Sequence, residues 1–131
     1  ETYPDKRFLT GDFLSLPYDK LGEEYDFIFA IAVFHHLPNK RTRLHFLTKA
    51  KKLLGKGGKL MFTVWNLWEE TKHKDKIDEE GNIFIPFGQE KVPRYYHAFT
   101  REELIGLVQE AGYKIEEFRE NRNLLLILTP L

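Results

Sequence analysis

The chain has 131 residues, of which 42% are apolar and 15% aromatic, and its 20 basic residues balance its 20 acidic residues. This composition predicts one soluble domain with a sizeable core and excludes intrinsic disorder and a uniformly basic nucleic-acid binder, while the lack of cysteine excludes disulfides, thiolate zinc sites and a cysteine nucleophile. No apolar run approaches the roughly 18 residues of a membrane span and no signal peptide precedes the first strand, so a cytoplasmic location is the default expectation.

Two apolar runs in the first third of the chain predict strands. The first, residues 7–10, stops at Gly11-Asp12, a pair typical of turns. The second, residues 25–34, is almost wholly apolar and contains neither Gly nor Pro. Such a run predicts a central strand that is covered on both faces, as in parallel sheets.

The middle of the chain predicts a strand, a helix and a second strand. Asn39 is a suitable N-cap for a helix whose apolar residues recur at helical spacing until Gly55. Residues 59–65 form the next apolar run. Two buried strands joined through a helix predict a parallel crossover of right-handed sense.

Residues 66–93 are polar, mixed in charge and without a sustained period. We expect a long irregular loop here, of the kind that forms lids or binding loops, within a single domain that spans residues 1–131. The apolar island at residues 83–87 is expected to fold back onto the domain.

The last third predicts a helix and a hairpin. Thr100 and Glu103 have the spacing of a reciprocal capping box, and Gly112 is a natural helix end. Residues 113–118 and 124–128 then read as two strands, and the short turn between them requires that they pair antiparallel.

Charge is distributed unevenly along the chain. Between residues 27 and 68 there is no acid, and all the charged residues are basic: Lys40, Arg41, Arg43, Lys49, Lys51, Lys52, Lys56 and Lys59. This segregation predicts a positive face that attracts a polyanion, although a merely solvated helix face is the alternative interpretation.

Taken in order, these motifs resemble those of class I methyltransferases, which use S-adenosylmethionine. Gly11-Asp12-Phe13 resembles the turn after the family's third strand, residues 25–37 its fourth strand and the loop that follows, and residues 53–60 the turn before its fifth strand. The resemblance implies an α/β, Rossmann-like sheet with a terminal antiparallel hairpin, here without the family's first two strands.

A narrower resemblance is to the tRNA wobble-uridine carboxymethyl methyltransferases. It is carried by His35-His36-Leu37, by Trp65 after the fifth strand and by the run from Arg94 to His97. It implies methyl transfer from S-adenosylmethionine to the carboxylate of carboxymethyluridine in tRNA. The family's Gly-rich cofactor loop has no counterpart before Gly11, so activity is expected to need residues N-terminal to this sequence.

The resemblance also implies where ligands bind. For the cofactor, Asp12 and Phe13 would meet the adenine, and Ala30 and Ile31 the methionine portion. The substrate contacts would be His35, Trp65, Arg94, Tyr95, Tyr96 and His97. The tRNA phosphates would meet Lys40, Arg41, Arg43, Lys51 and Lys52. No catalytic residue is assigned, because a carboxylate is already ionised at pH 7 and needs no general base.

Metal and partner predictions complete the sequence analysis. His35 and His36 are neighbours that point to opposite sides of an extended chain, and no acid or cysteine lies near them, so no metal site is predicted. The resembled family implies a small zinc-binding activator protein on the edge strand at residues 7–10. Two alternatives stay open: a methyltransferase of small molecules, or a catalytically silent module that binds RNA or protein.

Overall fold

The computed structural model describes residues 3–131, with six strands and four α-helices in that range. The strands are β1 Tyr25–Ile31, β2 Leu54–Trp65, β3 Asn82–Phe87, β4 Val92–His97, β5 Tyr113–Glu120 and β6 Asn123–Pro130. The helices are α1 Tyr18–Leu21, α2 Lys40–Leu53, α3 Thr71–Lys74 and α4 Arg101–Glu110. No helix within residues 3–131 is long and apolar enough to cross a bilayer.

The main sheet has four strands in the order β1-β2-β6-β5. β1 and β2 run parallel, whereas β6 pairs antiparallel with both β2 and β5. The predicted crossover and the predicted terminal hairpin are therefore confirmed. Gly58 lets β2 approach β1 closely, since a Cβ there would lie 2.6 Å from the carbonyl oxygen of Tyr25.

The two long helices begin where their capping residues predict. Asn39 accepts a hydrogen bond from the Thr42 amide at 2.9 Å, and the Thr42 hydroxyl accepts one from the Asn39 amide. These two bonds complete a capping box. Thr100 accepts from the Glu103 amide at 3.1 Å. The predicted reciprocal bond at this second helix is wrong, because the Glu103 carboxylate is bonded to His97 instead.

The core lies between one face of the sheet and helices α2 and α4. Its buried side chains are Phe34, Phe46, Leu47, Leu60, Phe62, Val64, Phe99, Leu104, Val108, Leu126 and Leu128. The opposite face of β1 is exposed at Phe27, Phe29 and Ile31. The prediction that this strand is covered on both faces is thus wrong within residues 3–131, where both long helices pack on one side.

Residues 7–10 do not form the predicted strand. Phe8 and Leu9 are exposed, and the segment is held instead by a hydrogen bond from the Arg7 guanidinium to the Lys20 carbonyl. With no ladder to a neighbouring strand, an apolar run this short has no reason to extend. The predicted docking strand for a zinc-binding activator is therefore not formed, and β1 is the edge of the sheet.

Residues 66–93 are more ordered than predicted. A 3-10 turn, Leu67–Glu69, and the short helix α3 are followed by β3. This strand pairs antiparallel with β4 to form a second sheet of two strands, which we call the ribbon. Ile83 is buried against Leu67 and Tyr96, so the predicted return of this apolar island is confirmed. Gly81 introduces the ribbon with φ of +90°, where a Cβ would lie 3.0 Å from the His97 ring.

Candidate active site

The carboxyl ends of β1 and β2 meet at one edge of the sheet, because the two strands are parallel. Open α/β sheets bind their ligands at this edge. Ala32 follows β1 with φ of +56°, a left-handed conformation uncommon for a residue with a Cβ. Its amide donates to the Thr63 hydroxyl at 3.0 Å, and the chain then enters the 3-10 turn Phe34–His36.

Four rings gather beside this edge and form what we call the aromatic cluster: His35, His36, Trp65 and Tyr96. Trp65 and Tyr96 are stacked, with centroids 4.9 Å apart and planes 17° from parallel. His35 and His36 lie 4.9 Å and 4.5 Å from the Tyr96 ring. The cluster therefore joins the end of β2, the turn after β1 and the last part of β4.

His35 is the innermost member of the cluster, with only 1% of its surface exposed. Its Nδ1 accepts a hydrogen bond from the Trp65 amide at 3.0 Å, so Nε2 carries the proton. Burial, followed by the proximity of His36 and Arg94, lowers the pKa of His35 from 6.5 to about 3, against a smaller opposing effect of the Ala32 backbone. Its burial does not favour the predicted direct contact with substrate, because the 3-10 turn directs the ring inward.

His36 is the more accessible histidine of the pair. Its Nδ1 donates to the Tyr95 carbonyl at 3.0 Å, a bond between the turn after β1 and the middle of β4. This hydrogen bond therefore connects the two-stranded ribbon to the sheet edge. It leaves Nε2 of His36 on the side of the ring away from the Tyr95 carbonyl.

The run from Arg94 to His97 belongs to the strand β4, and the alternation of a strand divides its side chains between two faces. Arg94 and Tyr96 share the face that meets Trp65. Arg94 is exposed, and its guanidinium carbon lies 4.5 Å from the centre of the Phe87 ring. Of the four predicted contacts in this run, Arg94 and Tyr96 are the two on the side of the candidate site.

Tyr95 and His97 take the opposite face and belong to a polar network that we call the hairpin anchor: Arg43, Asn82, Tyr95, His97 and Glu103. The Tyr95 hydroxyl donates to Asn82 Oδ1 at 2.6 Å and accepts from Arg43 Nη2 at 3.0 Å. His97 Nε2 donates to the Glu103 carboxylate at 2.8 Å. The structure thus assigns the polar atoms of Tyr95 and His97 to the fold, and their predicted substrate contacts stay predictions.

Burial governs the titration of this anchor. It lowers the pKa of the Arg43 guanidinium, which Tyr95 and Glu103 partly counteract. It likewise raises the pKa of Tyr95, although the adjacent Arg43 pulls in the other direction. Both groups hold their ordinary charge states around neutral pH, so the anchor persists there.

Two of the basic residues on α2 are buried and cannot reach a phosphate. Arg43 is 5% exposed and also donates from Nε to the Leu37 carbonyl at 3.1 Å. Lys49 is 3% exposed and donates to the Leu16 carbonyl. The burial of Arg43 does not favour its predicted contact with tRNA, because the cation turns into the protein and bonds within the hairpin anchor.

The other cations of α2 are partly engaged. Lys51 donates to the Ala111 carbonyl at 2.7 Å, beyond the C-terminus of α4, so one of its three donors serves the fold. Lys40 forms an ion pair with Glu110 at 3.0 Å. Arg41 and Lys52 are exposed. The eight basic residues between residues 27 and 68 therefore do not form one continuous positive face.

The predicted cofactor residues occupy mixed environments. Asp12 is exposed, and its Oδ1 accepts from the Leu14 amide at 3.0 Å, while Phe13 packs on Phe46 with centroids 5.1 Å apart. Ala30 is buried in the core, whereas Ile31 is 55% exposed at the end of β1. These positions leave the Asp12 carboxylate and the Ile31 side chain accessible to a ligand.

Sequence reasoning did not find the cavity next to Trp65, which has a volume of about 580 Å³. Asn66, Glu70, His73 and Arg122 also line it, from the segments after β2 and between β5 and β6. Sequence reasoning also missed Asn82 in the anchor. The one sequence signal for this network was Glu103, but its capping-box position assigned it to the start of α4 and not to a bond with His97.

Comparison with known proteins identifies the family. A model described as a methyltransferase domain matches residues 4–117. The chain belongs to this family of methyltransferase domains.

Two curated relatives of this methyltransferase domain are named as tRNA methyltransferases. The chain is 31% identical over 86% of its length to the tRNA (carboxymethyluridine(34)-5-O)-methyltransferase of Schizosaccharomyces pombe, of which it covers 59%. It is 28% identical over 78% of its length to a Homo sapiens protein named probable tRNA methyltransferase 9B, of which it covers 20%. The chain thus spans less than two thirds of these relatives.

Solved structures share the fold of this methyltransferase domain. A methyltransferase from Methanosarcina mazei, described as SAM-dependent, aligns with a TM-score of 0.74 at 20% identity, over 92% of this chain and 65% of that one. A Burkholderia thailandensis N1-methyltransferase with bound S-adenosylhomocysteine aligns with a TM-score of 0.66 at 16% identity, over 95% of this chain and 50% of that one. The sheet is therefore the Rossmann-like sheet of these methyltransferases.

Proposed function

We propose that the protein transfers a methyl group from S-adenosylmethionine to the carboxylate of carboxymethyluridine at the tRNA wobble position. The observation that carries the proposal is that Tyr96 stacks on Trp65 at the carboxyl edge of the parallel strands, while Arg94 lies on the same face of β4 as Tyr96. The name of the fission yeast relative supports the same acceptor. We retain the cytoplasm as the predicted location.

Two separate segments, the turn at Asp12 and Phe13 and the end of β1, supply residues that fit the cofactor. The exposed Asp12 carboxylate is suited to accept a hydrogen bond from the adenine amine, and the exposed Ile31 to contact an apolar part of the molecule. Phe13 contributes its backbone amide beside Asp12, and Ala30 its small size. When bound, S-adenosylmethionine supplies an electrophilic methyl group.

On the substrate side, the chain provides a cation and aromatic surface. Arg94 is suited to hold an acceptor carboxylate through two parallel hydrogen bonds, which fix both its position and its orientation. The half-buried Trp65 ring, on which the buried Tyr96 stacks from within, offers a flat surface beside it for a base. Because the acceptor is ionised at neutral pH, these residues need only orient it and exclude water.

Substitution of Arg94 tests this assignment. We expect Arg94→Ala to lower kcat/KM for modified tRNA by roughly 10- to 100-fold, since it removes a charge-assisted bidentate contact. Arg94→Lys should recover only part of this loss, because an ammonium cannot bind a carboxylate bidentately. The measurement is transfer of a tritiated methyl group from S-adenosylmethionine to tRNA that carries carboxymethyluridine.

The chain offers a matched control in Arg101. Its guanidinium carbon also lies 4.5 Å from an aromatic ring, that of Phe118, and its side chain is comparably exposed, but it belongs to α4. Arg101→Ala should change kcat/KM by less than about twofold. Equal losses in the two variants, or unchanged turnover in Arg94→Ala, would remove Arg94 from the mechanism.

One observation favours a second candidate, methyl transfer to a small acid. Arg43 and Lys49 are buried and Lys51 caps α4, which weakens the case for α2 as a surface that binds tRNA. The cavity beside Trp65, at about 580 Å³, is large enough for a small molecule. Transfer to small carboxylates at rates that exceed transfer to tRNA would support this candidate over the first.

A further inference from the structure

The two-stranded ribbon of β3 and β4 is buried at its base and exposed at its tip. At the base, Ile83 and Tyr96 pack with Leu67 in a small core of their own. Towards the tip, Phe84 and Phe87 expose 63% and 58% of their surfaces. An isolated exposed aromatic is ordinary, but Phe87 is paired with Val92, which exposes 55% of its surface, and adjacent exposed apolar side chains indicate a surface for interaction.

The two phenylalanines lie on opposite faces, as the pairing of the strands requires. Phe87 is paired with Val92, and Ile85 with Arg94, so these four share the face of Tyr96. Phe84 is paired with Tyr95 and shares the face of the hairpin anchor. The Phe87 face is thus continuous with the aromatic cluster, whereas the Phe84 face is not.

Phe87 also carries a cation. The Arg94 guanidinium lies 4.5 Å from the centre of its ring, and Lys91 precedes β4 in the turn, where Glu90 is the sole acid between residues 82 and 97. A positive charge over an exposed aromatic ring is a surface on which unpaired bases stack while their phosphates are attracted. With Lys91 and Arg94 against the single acid Glu90, the charge of this segment favours a polyanion as the partner.

We propose that Phe87, with Arg94 above it, is a stacking platform for an unpaired RNA base next to the acceptor nucleotide. The platform rests on the proposed function, since it takes the substrate to be an RNA loop. It assigns RNA binding to the ribbon and not to those cations of α2 that are buried or hydrogen-bonded within the protein. Residues Val92, Arg94 and Tyr96 then span about 13 Å from the platform to the aromatic cluster.

Binding of RNA by variants of Phe87 tests the platform without any methyl transfer. The probe is a fluorescent RNA stem-loop with the sequence of a tRNA anticodon arm, and the readout is its anisotropy with the full chain. Phe87→Ala should weaken binding by about tenfold, the loss typical of one stacked base. Phe87→Trp should retain the affinity and Phe87→Leu should lose it, since leucine is apolar but has no π-face.

Phe84→Ala is the matched control, because it removes an equally exposed phenylalanine from the other face of the same ribbon. It should bind the stem-loop within about twofold of the unsubstituted protein. Equal losses in Phe84→Ala and Phe87→Ala, or full binding by Phe87→Leu, would overturn the platform. A lower apparent mass of Phe87→Ala in sedimentation would overturn it too, by assigning the ring to self-association.

The experiment separates failure of the platform from failure of the proposed function. Loss of RNA binding in Phe87→Ala supports the platform even if no methyl group is transferred to any carboxylate. Conversely, methyl transfer to carboxymethyluridine with unchanged RNA binding in Phe87→Ala refutes the platform and leaves the proposed function in place. Far-ultraviolet circular dichroism of each variant excludes loss of the fold as the cause.

Discussion

His35 is a buried imidazole that accepts a hydrogen bond from a backbone amide and has no well-aligned partner for Nε2 within residues 3–131. Such a group is held neutral, because charging it would place an uncompensated cation beneath Trp65 and Tyr96. Its role is to position Trp65. In the proposed function, the ring that can contact the substrate is Trp65, which is only half-buried.

The low pKa of His35 predicts a loss of stability in acid. The unfolded chain binds a proton near pH 6.5 and the folded chain only near pH 3, so the free energy of unfolding falls as the pH drops through this interval. Between pH 6.5 and pH 4.5 the contribution is about 2 kcal/mol. Urea unfolding at both pH values measures it.

His35→Asn provides the reference for this loss, because the amide oxygen retains an acceptor near the Trp65 amide but does not titrate. The variant should be less stable at pH 7 and should lose less stability on acidification. The difference between the two slopes isolates His35 from the carboxylates that also titrate there. Parallel slopes would mean that His35 is not buried as a neutral ring.

At the scale of elements, the position of the β3–β4 ribbon depends on the hairpin anchor. Glu103 receives His97 Nε2 at 2.8 Å and lies 3.9 Å from the Arg43 guanidinium. It therefore links α4, α2 and the ribbon through one carboxylate. The ribbon has few other polar bonds to the main sheet, apart from that of His36 to the Tyr95 carbonyl.

Glu103→Gln should loosen the ribbon more than it unfolds the domain. Removing the carboxylate weakens two charged contacts and should lower the free energy of unfolding by roughly 1–3 kcal/mol. Amide hydrogens of β3 and β4 should exchange at least tenfold faster, whereas those of β2 and β6 change less. Hydrogen exchange read by mass spectrometry or NMR reports both.

Glu102→Gln is the control for this prediction. Glu102 occupies the same first turn of α4, so it has a similar relation to the helix dipole, but it is exposed. It should change ribbon exchange by less than about twofold. Uniform acceleration across both sheets in Glu103→Gln would show that the anchor supports the whole domain and not the ribbon in particular.

Local patterns predicted the elements that have strong local signals. Asn39 and Thr100 mark the starts of α2 and α4, because a cap depends on neighbouring residues alone. The ribbon escaped prediction because Pro86 and Pro93 interrupt both of its strands, and they lie opposite each other in the register. The strand at residues 7–10 failed for the opposite reason, since strand formation needs a partner that no local pattern supplies.

Only part of the site could be predicted, because its arrangement also depends on contacts between distant residues that no local pattern supplies. The residue types near Trp65 followed from the resemblance, but the division of the run from Arg94 to His97 into two faces required β4 to be a strand. Likewise, two adjacent histidines gave no sign of which was buried. The burial of Arg43 and Lys49 was also out of reach, because charge patterning assumes that cations face solvent.

At the scale of the molecule, one sheet face is covered and one is open in residues 3–131. The covered face builds the core, and the carboxyl edge of β1 and β2 gathers the aromatic cluster, the cavity and the root of the ribbon. The half-buried Trp65 ring and the exposed Arg94 suit an aromatic base that carries an anionic group. That combination is the central claim, and the chemistry of the product tests it.

The most direct measurement is the alkali lability of the methyl group transferred to tRNA. A methyl ester hydrolyses in mild alkali and releases methanol, whereas a methyl group on a base nitrogen or a ribose oxygen stays attached. With tritiated S-adenosylmethionine and tRNA that contains carboxymethyluridine, we expect the label to become volatile after alkali, and tRNA that lacks the carboxylate to accept none. Label that resists alkali, or equal transfer to both tRNAs, would contradict the proposed function.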